Sequence, residues 1–199
     1  MSWYIGLEGV DGSGKSTVAA AVARALEERG VEVVSVREPG GTRLGEEIRQ
    51  LLLHSAEMTP WAEASLFAAQ RAQLAVEVIA PALERGAWVL SDRTYFSSLA
   101  YQGAARGLGV DAVRTINEAV LGDVTPDLVV VLDVSPEIGL ARQMDADRIG
   151  SSGVEFQQSV SRAYRALADQ QPDLVKLIPA DGAVGAIADR ILAFTSAEL

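Results

Sequence analysis

Nine consecutive residues, Gly9-Val10-Asp11-Gly12-Ser13-Gly14-Lys15-Ser16-Thr17, join a pliant backbone to one cation and adjacent hydroxyls. The spacing G-x-x-x-x-G-K-S is that of a loop folded around a phosphate. Its glycines permit backbone angles and close approaches that a Cβ would block. Successive N–H groups then converge on an anion, and a following helix adds the positive end of its dipole. In such a loop Lys15 carries a point charge to the β- and γ-phosphates, and the Ser16 hydroxyl is placed to hold Mg²⁺. The chain has two lysines, Lys15 and Lys176, against fifteen arginines, so composition does not explain a lysine at this position.

The elements around the loop suit that chemistry. The apolar run Trp3 to Leu7 reads as a buried strand. Val18, Val22 and Leu26, with alanines between them, give a helical face from Val18 to Arg29, and Gly30 supplies the stop. Val31 to Val36 is a second strand, which completes a βαβ unit and implies a parallel sheet.

Ligands of open α/β sheets sit beyond the carboxyl ends of the strands, and further candidates stand there. Arg37-Glu38-Pro39-Gly40-Gly41-Thr42 follows the second strand. A plain turn with Thr42 capping the next helix explains Glu38 to Thr42 but leaves Arg37 for an anion. Thr59-Pro60 starts a helix running to about Gly86, with Pro81 expected to kink its last turn. Phe67, Arg71 and Leu74 share one face of it. By spacing alone that face reads equally as a base-stacking surface or as a core phenylalanine beside a solvated arginine. Two strands end in a carboxylate suited to the Mg²⁺ shell, at Asp92 and Asp133. Asp133 leads into a capped helix start at Ser135-Pro136, whereas Asp92-Arg93 has no such explanation, which favours Asp92. If Tyr95 to Gly103 is helical, the i, i+4 pairs Ser97/Tyr101 and Ser98/Gln102 form a polar strip facing Arg71 and Arg93. His54, the single histidine, follows a helix spanning Arg43 to Leu53 and reads as a surface or capping residue.

Composition narrows the classes. The length of 199 residues suits one domain with its own core. The absence of cysteine excludes disulfides, thiolate metal sites and a cysteine nucleophile, and fits a cytoplasmic location. The N-terminus opens on strand-like residues without a signal-type stretch, and no apolar window is long enough for a membrane span. A net charge of −10 argues against nucleic-acid partners and leaves small anions, provided arginines gather locally. No Asn-Lys-x-Asp motif is present, which removes support for a guanine-nucleotide switch.

Taken together, Glu8 to Thr17, Arg37 to Thr42, Phe67-x-x-x-Arg71, Asp92-Arg93 and Ala100-Tyr101-Gln102-Gly103 resemble the thymidylate kinase family, in order and spacing from Trp3 to about Leu192. The resemblance implies an α/β protein of the P-loop NTPase fold, with a five-stranded parallel sheet flanked by helices. It also implies a homodimer that uses ATP with Mg²⁺ to phosphorylate dTMP. Carried over residue by residue, Gly9 to Thr17 would hold ATP, with Lys15, Asp11 and Arg93 catalytic and Ser16 and Asp92 at the metal. Phe67 would stack on thymine and Arg71 would bond its carbonyl. Arg37 and Arg93 would grip the acceptor phosphate near Asp11. Glu38, Pro39, Ser97, Ser98 and Gln102 would complete that pocket, and Tyr101 would crowd the sugar 2′ position. The turn at Ala180-Asp181 would wall the adenine.

Residues 142–153 mix glycine, serine and charge without a period, which reads as a mobile lid. Positions 10–13 of the loop hold no arginine, and relatives of that type supply one from the lid. The resemblance therefore assigns Arg148 to the transferring phosphoryl group and Arg142 to packing on adenine. Gly150 stands where relatives often carry a glutamate.

Overall fold

The computed structural model describes residues 2–55, 57–142 and 148–195, the side chain of Ser151 excepted. Five strands form one parallel sheet: β1 (Tyr4–Glu8), β2 (Val33–Arg37), β3 (Trp88–Asp92), β4 (Leu128–Asp133) and β5 (Val175–Pro179), in the order β2-β3-β1-β4-β5. Parallel neighbours need a crossover, and helices supply it on both faces. α1 (Lys15–Glu27) and α9 (Val184–Ala193) cover one face. There Val18, Val22 and Leu26 pack with Ile5, Leu7, Leu90, Val130, Ile187 and Ile191. On the other face lie α3 (Pro60–Leu74), α5 (Tyr95–Ser98), α6 (Val110–Leu121) and α8 (Val154–Gln170). Their Phe67, Phe96, Val113, Val160 and Tyr164 close over Val129 and Val131. The central strands β1, β3 and β4 are buried on both faces, so they read as continuous apolar runs.

Register decides where the chemistry lies. Leu7 and Arg37 both pair with Asp92, and Asp133 pairs with Pro179. Glu8, Arg37, Asp92 and Asp133 therefore emerge at one carboxyl edge, where the phosphate-binding loop also leaves β1. Thr42 caps α2 (Arg43–His54) by accepting from Gly45 N, and Thr59 caps α3 by accepting from Ala62 N, as their types predict.

Two helical expectations change in detail. Pro81 does not simply kink a final turn; a π-helical segment, Ala75–Ile79, intervenes before α4 (Ala80–Glu84). Proline has no N–H to offer the carbonyl of Glu77, and the wider turn absorbs that loss. Likewise α5 passes into a second π-helical segment, Leu99–Ala105. The wider turn breaks the i, i+4 register expected for the polar strip, so its members need not share a face.

Of the stretch 142–153 expected to be a lid, residues 143–147 lie outside the described residues. Arg142 ends α7 (Pro136–Arg142), Ile149 is buried, and Gly150–Ser152 forms one 3₁₀ turn.

Candidate active site

The loop from Gly9 to Gly14 is shaped by close packing as well as by glycine. Gly12 has φ 73°, and an ideal Cβ there would lie 2.0 Å from the carbonyl oxygen of Gly139 on α7. A Cβ on Gly139 would in turn lie 2.3 Å from Asp11 O. The loop and α7 thus meet backbone to backbone. Lys15 Nζ folds back onto Gly9 O at 3.1 Å, Val10 O at 3.0 Å and Ser13 Oγ at 3.4 Å. Burial and the nearby Arg93 guanidinium pull the Lys15 ammonium down to about 8, against the opposite pull of Asp11, Asp92 and Glu8.

Two cavities open at this edge. One, of about 500 Å³, is lined by Gly12 to Val18, Arg142, Ala180, Gly182, Val184 and Ile187. This is the cavity to which the resemblance assigns the donor. It contains Arg142 and Ala180 as the resemblance implies, but not Asp181, whose exposed side chain lies 4.0 Å from Arg190. The other, of about 300 Å³, is lined by Asp11, Arg37, Glu38, Pro39, Phe67, Asp92, Arg93, Ser97, Tyr101 and Gln102. Lys15 and Ser16 line both. Asp11, expected at both substrates, lines the second cavity alone, while Gly9 and Val10 line neither of the two.

The second cavity gathers the cations that an acidic protein needs to bind an anion: Lys15, Arg37, Arg49 and Arg93. Arg93 is the one described non-glycine residue with left-handed backbone, φ 78°. Such geometry costs about 1–3 kcal/mol and persists only when surrounding contacts hold it. Here Arg93 N donates to Leu7 O at 2.9 Å, and Ser91 Oγ donates to Arg93 O at 2.5 Å. Beneath it, the fully buried Glu8 carboxylate accepts from Thr94 N at 2.7 Å, Ser97 Oγ at 2.6 Å and Tyr164 OH at 2.6 Å. The guanidinium so aimed pairs with Asp11, lies 3.1 Å from Ser97 Oγ and sits 5.1 Å from the Tyr101 ring centroid. Burial pushes the Asp11 carboxyl up, but Arg93, Lys15 and the Gln157 amide outweigh it and hold it below its ordinary value. Burial pushes the Tyr101 phenol well up, so it stays neutral.

Ser16 Oγ donates to Asp92 Oδ2 at 2.5 Å, where the two cavities meet. Asp133 instead pairs with Arg165 at 2.9 Å and is not part of the lining of either cavity. Among the described residues no cluster of three or more metal-binding side chains occurs. One carboxylate and one hydroxyl still suit Mg²⁺, which takes few protein ligands and completes its shell with phosphates and water.

Three further expected members also stand outside both cavities. Arg71 is 1% exposed and is not part of the cavity lining. It pairs with Glu38, and it donates to Ser98 Oγ at 2.9 Å, Asn117 Oδ1 at 2.7 Å and Thr94 O at 3.2 Å. A guanidinium is costly to bury without partners, and these four supply them. Ser98, turned toward Arg71, is likewise absent from the lining because the π-helical turn separates it from Gln102. Arg148 lines neither main cavity: its Nε donates to Leu52 O at 3.0 Å and its Nη1 lies 2.8 Å from Glu63 Oε2.

Several lining residues escaped the sequence reading, namely Arg49, Leu53 and Ile149. Arg49 and Leu53 are four apart on α2, so the face was present in the spacing but had no chemical cue. Glu63, Phe67, Gln70 and Arg71 share one face of α3 and are all buried. An acidic residue on the face of Phe67 and Arg71 was the available signal for Glu63.

Comparison with known proteins places the chain in a family. The family model described as thymidylate kinase matches residues 7–191. A thymidylate kinase of Synechococcus sp. (strain JA-3-3Ab) is 45% identical over 188 residues, covering 94% of this chain and 92% of the relative. One from Pelotomaculum thermopropionicum is 46% identical over 187 residues, covering 90% and 86% respectively. The crystal structure of thymidylate kinase from Ehrlichia chaffeensis superposes with a TM-score of 0.83 at 29% identity, covering 98% of each chain. The chain belongs to the thymidylate kinase family.

Proposed function

We propose that this cleft transfers the γ-phosphoryl group of ATP in line to dTMP, giving dTDP for dTTP synthesis, within a single domain spanning residues 1–199. One observation carries the reading: Lys15 and Ser16 line both cavities, so a donor phosphate held by the loop faces directly into a cation-lined acceptor cavity. Phosphoryl transfer asks the protein mainly for alignment and charge, and both are present.

On the donor side, the loop amides and Lys15 bind the phosphates, while Arg142 and the wall at Ala180 receive the adenine. Ser16 and Asp92 would hold Mg²⁺, which would supply positive charge to neutralise that developing on the donor phosphates. On the acceptor side, Arg93 and Arg37 hold the phosphate, with Arg49 beside them. Asp11 keeps Arg93 aimed and stays ionised throughout the neutral range. Phe67 stacks on thymine, Gln102 meets its edge, and Tyr101 crowds the 2′ position in favour of deoxyribose. Four of the five N–H groups of Arg71 are taken by the protein, which leaves one for a thymine carbonyl. Arg148 reaches the transferring group by exchanging Glu63 for phosphate.

The exposed Leu44 and Leu51 on α2, Trp61 on α3 and Val120 on α6 support a homodimer. Among the described residues no helix is long and apolar enough to cross a membrane, which suits the proposed cytoplasmic location.

The test is a panel of acceptors, dTMP, dUMP, CMP, AMP and GMP, with ATP and Mg²⁺. Preferential formation of dTDP is expected. A preference for a purine acceptor, or ATP turnover that ignores the acceptor, overturns the reading.

A further inference from the structure

Glu63 lies on α3, one helical turn before Phe67, and is 1% exposed. Its Oε1 accepts from Gln102 Nε2 at 2.7 Å. Arg148 Nη1 lies 2.8 Å from its Oε2, and Arg106 approaches both oxygens at 3.5 Å. Gln102 lines the acceptor cavity yet is only 2% exposed, so its amide is confined between Glu63 and whatever fills the cavity.

A carboxylate between two guanidinium groups offers acceptors only, whereas a carboxamide has one end that donates and one that accepts. Oxygen and nitrogen of an amide are hard to tell apart by position, but chemistry settles this case: only the NH₂ can face Glu63. The Gln102 oxygen is then the end presented to the acceptor. A thymine or uracil ring carries a hydrogen at N3, which that oxygen can accept. Cytosine has a bare nitrogen at N3, and two acceptors would meet with no proton between them. Leaving buried polar groups unpaired is how a site rejects a near-isostere strongly.

We propose that Glu63 is a positioning residue for acceptor specificity, pinning the Gln102 carboxamide so that its oxygen faces the base and selects a ring bearing N3–H. The inference rests on the acceptor reading above. It assigns a role to a buried acid that touches no substrate, with Arg106 keeping the Glu63 carboxylate in place when Arg148 exchanges it for phosphate.

The experiment compares wild type, E63Q and E63D with dTMP and dCMP as acceptors. Glutamine at position 63 can donate or accept, so the Gln102 amide is released to turn. The dTMP-to-dCMP ratio of kcat/KM is expected to fall by at least about tenfold in E63Q, through acceptor KM, with the KM for ATP unchanged. E63D, still acceptor-only, restores discrimination. An unchanged ratio in E63Q, or equal losses on both acceptors, overturns the proposal, because a merely structural role would act on both alike. A second measurement needs no variant that perturbs the site: ¹⁵N spectra of wild type with and without dTMP. The Gln102 side-chain NH₂ is expected to exchange slowly with water before dTMP is added and to keep that protection afterwards. Protection that appears only on adding dTMP means that the NH₂ faces the base, and this also overturns the proposal. Wild-type protein that fails to phosphorylate dTMP at all refutes the functional reading instead, so the two failures are distinguishable.

Discussion

Ser16 Oγ and Asp92 Oδ2 are hydrogen-bonded across 2.5 Å, though they are 76 residues apart in the chain. Ser16 sits in the first turn of α1 and Asp92 ends β3, so the pairing of β1 with β3 brings them together. The contact lies where both cavities meet and defines the expected seat of the metal. Asp92→Asn keeps a polar group of the same size but removes its charge. Mg²⁺ affinity of the nucleotide-bound enzyme is expected to weaken about 10- to 100-fold, with dTMP affinity unchanged. Calorimetric Mg²⁺ titration in the presence of ADP, beside a dTMP titration, checks both halves.

Lys15 gives a pH signature. Folding holds its ammonium at about 8, below the ordinary 10.5. Between those values the unfolded chain binds more protons than the folded one, so this group makes stability rise with pH across that window. Donor phosphates restore the charged form, and ATP binding at pH 8.5–9 is expected to take up as much as about one proton. Calorimetry in buffers of different ionisation enthalpy measures the uptake. In Lys15→Arg, whose cation does not titrate there, the uptake disappears.

The two arginines that flank residues 143–147 have separable expected effects. Arg142 lines the donor cavity, so Arg142→Ala raises the KM for ATP with a modest change in kcat. Arg148 is held at Glu63, so Arg148→Ala leaves ATP binding largely intact and lowers kcat, by about 10³-fold or more if it supplies the transition-state cation. Steady-state kinetics with varied ATP separates the two. The opposite pattern would exchange their roles.

Gly139 is a packing requirement. A Cβ there meets Asp11 O at 2.3 Å, a backbone atom that cannot swing aside. Gly139→Ala is expected to destabilise the protein by about 1–3 kcal/mol and to weaken both substrates, because it displaces the loop between Asp11 and Gly12. Gly185→Ala, at a helical position with nothing within 4 Å of its Cβ, serves as the control and is expected to match or exceed wild-type stability. Thermal melts and kcat/KM for ATP and dTMP provide the comparison.

By itself the chain determined whatever is encoded in neighbouring residues. The loop from Gly9 to Thr17, the caps at Thr42 and Thr59, the apolar β1, β3 and β4, and the carboxylate at Asp92 were all legible. Each depends on local backbone chemistry or on burial that a short run records. Arg37 was legible as an anion candidate because it closes a strand at the sheet edge, whereas Phe67, Arg93, Tyr101 and Gln102 took their places in the pocket from the family resemblance, spacing alone leaving Phe67 open. The tertiary structure decided which polar groups meet across long separations. It spent most of Arg71 on Glu38, Ser98, Asn117 and Thr94, turned Ser98 away through a π-helical turn, drew Arg148 onto Glu63, and added Arg49 to the cations. These outcomes follow from the need of each buried charge for partners, and those partners come from elements whose approach no local pattern records. The phosphate-binding loop could be read from nine residues, but the orientation of Gln102 required Glu63, 39 positions away.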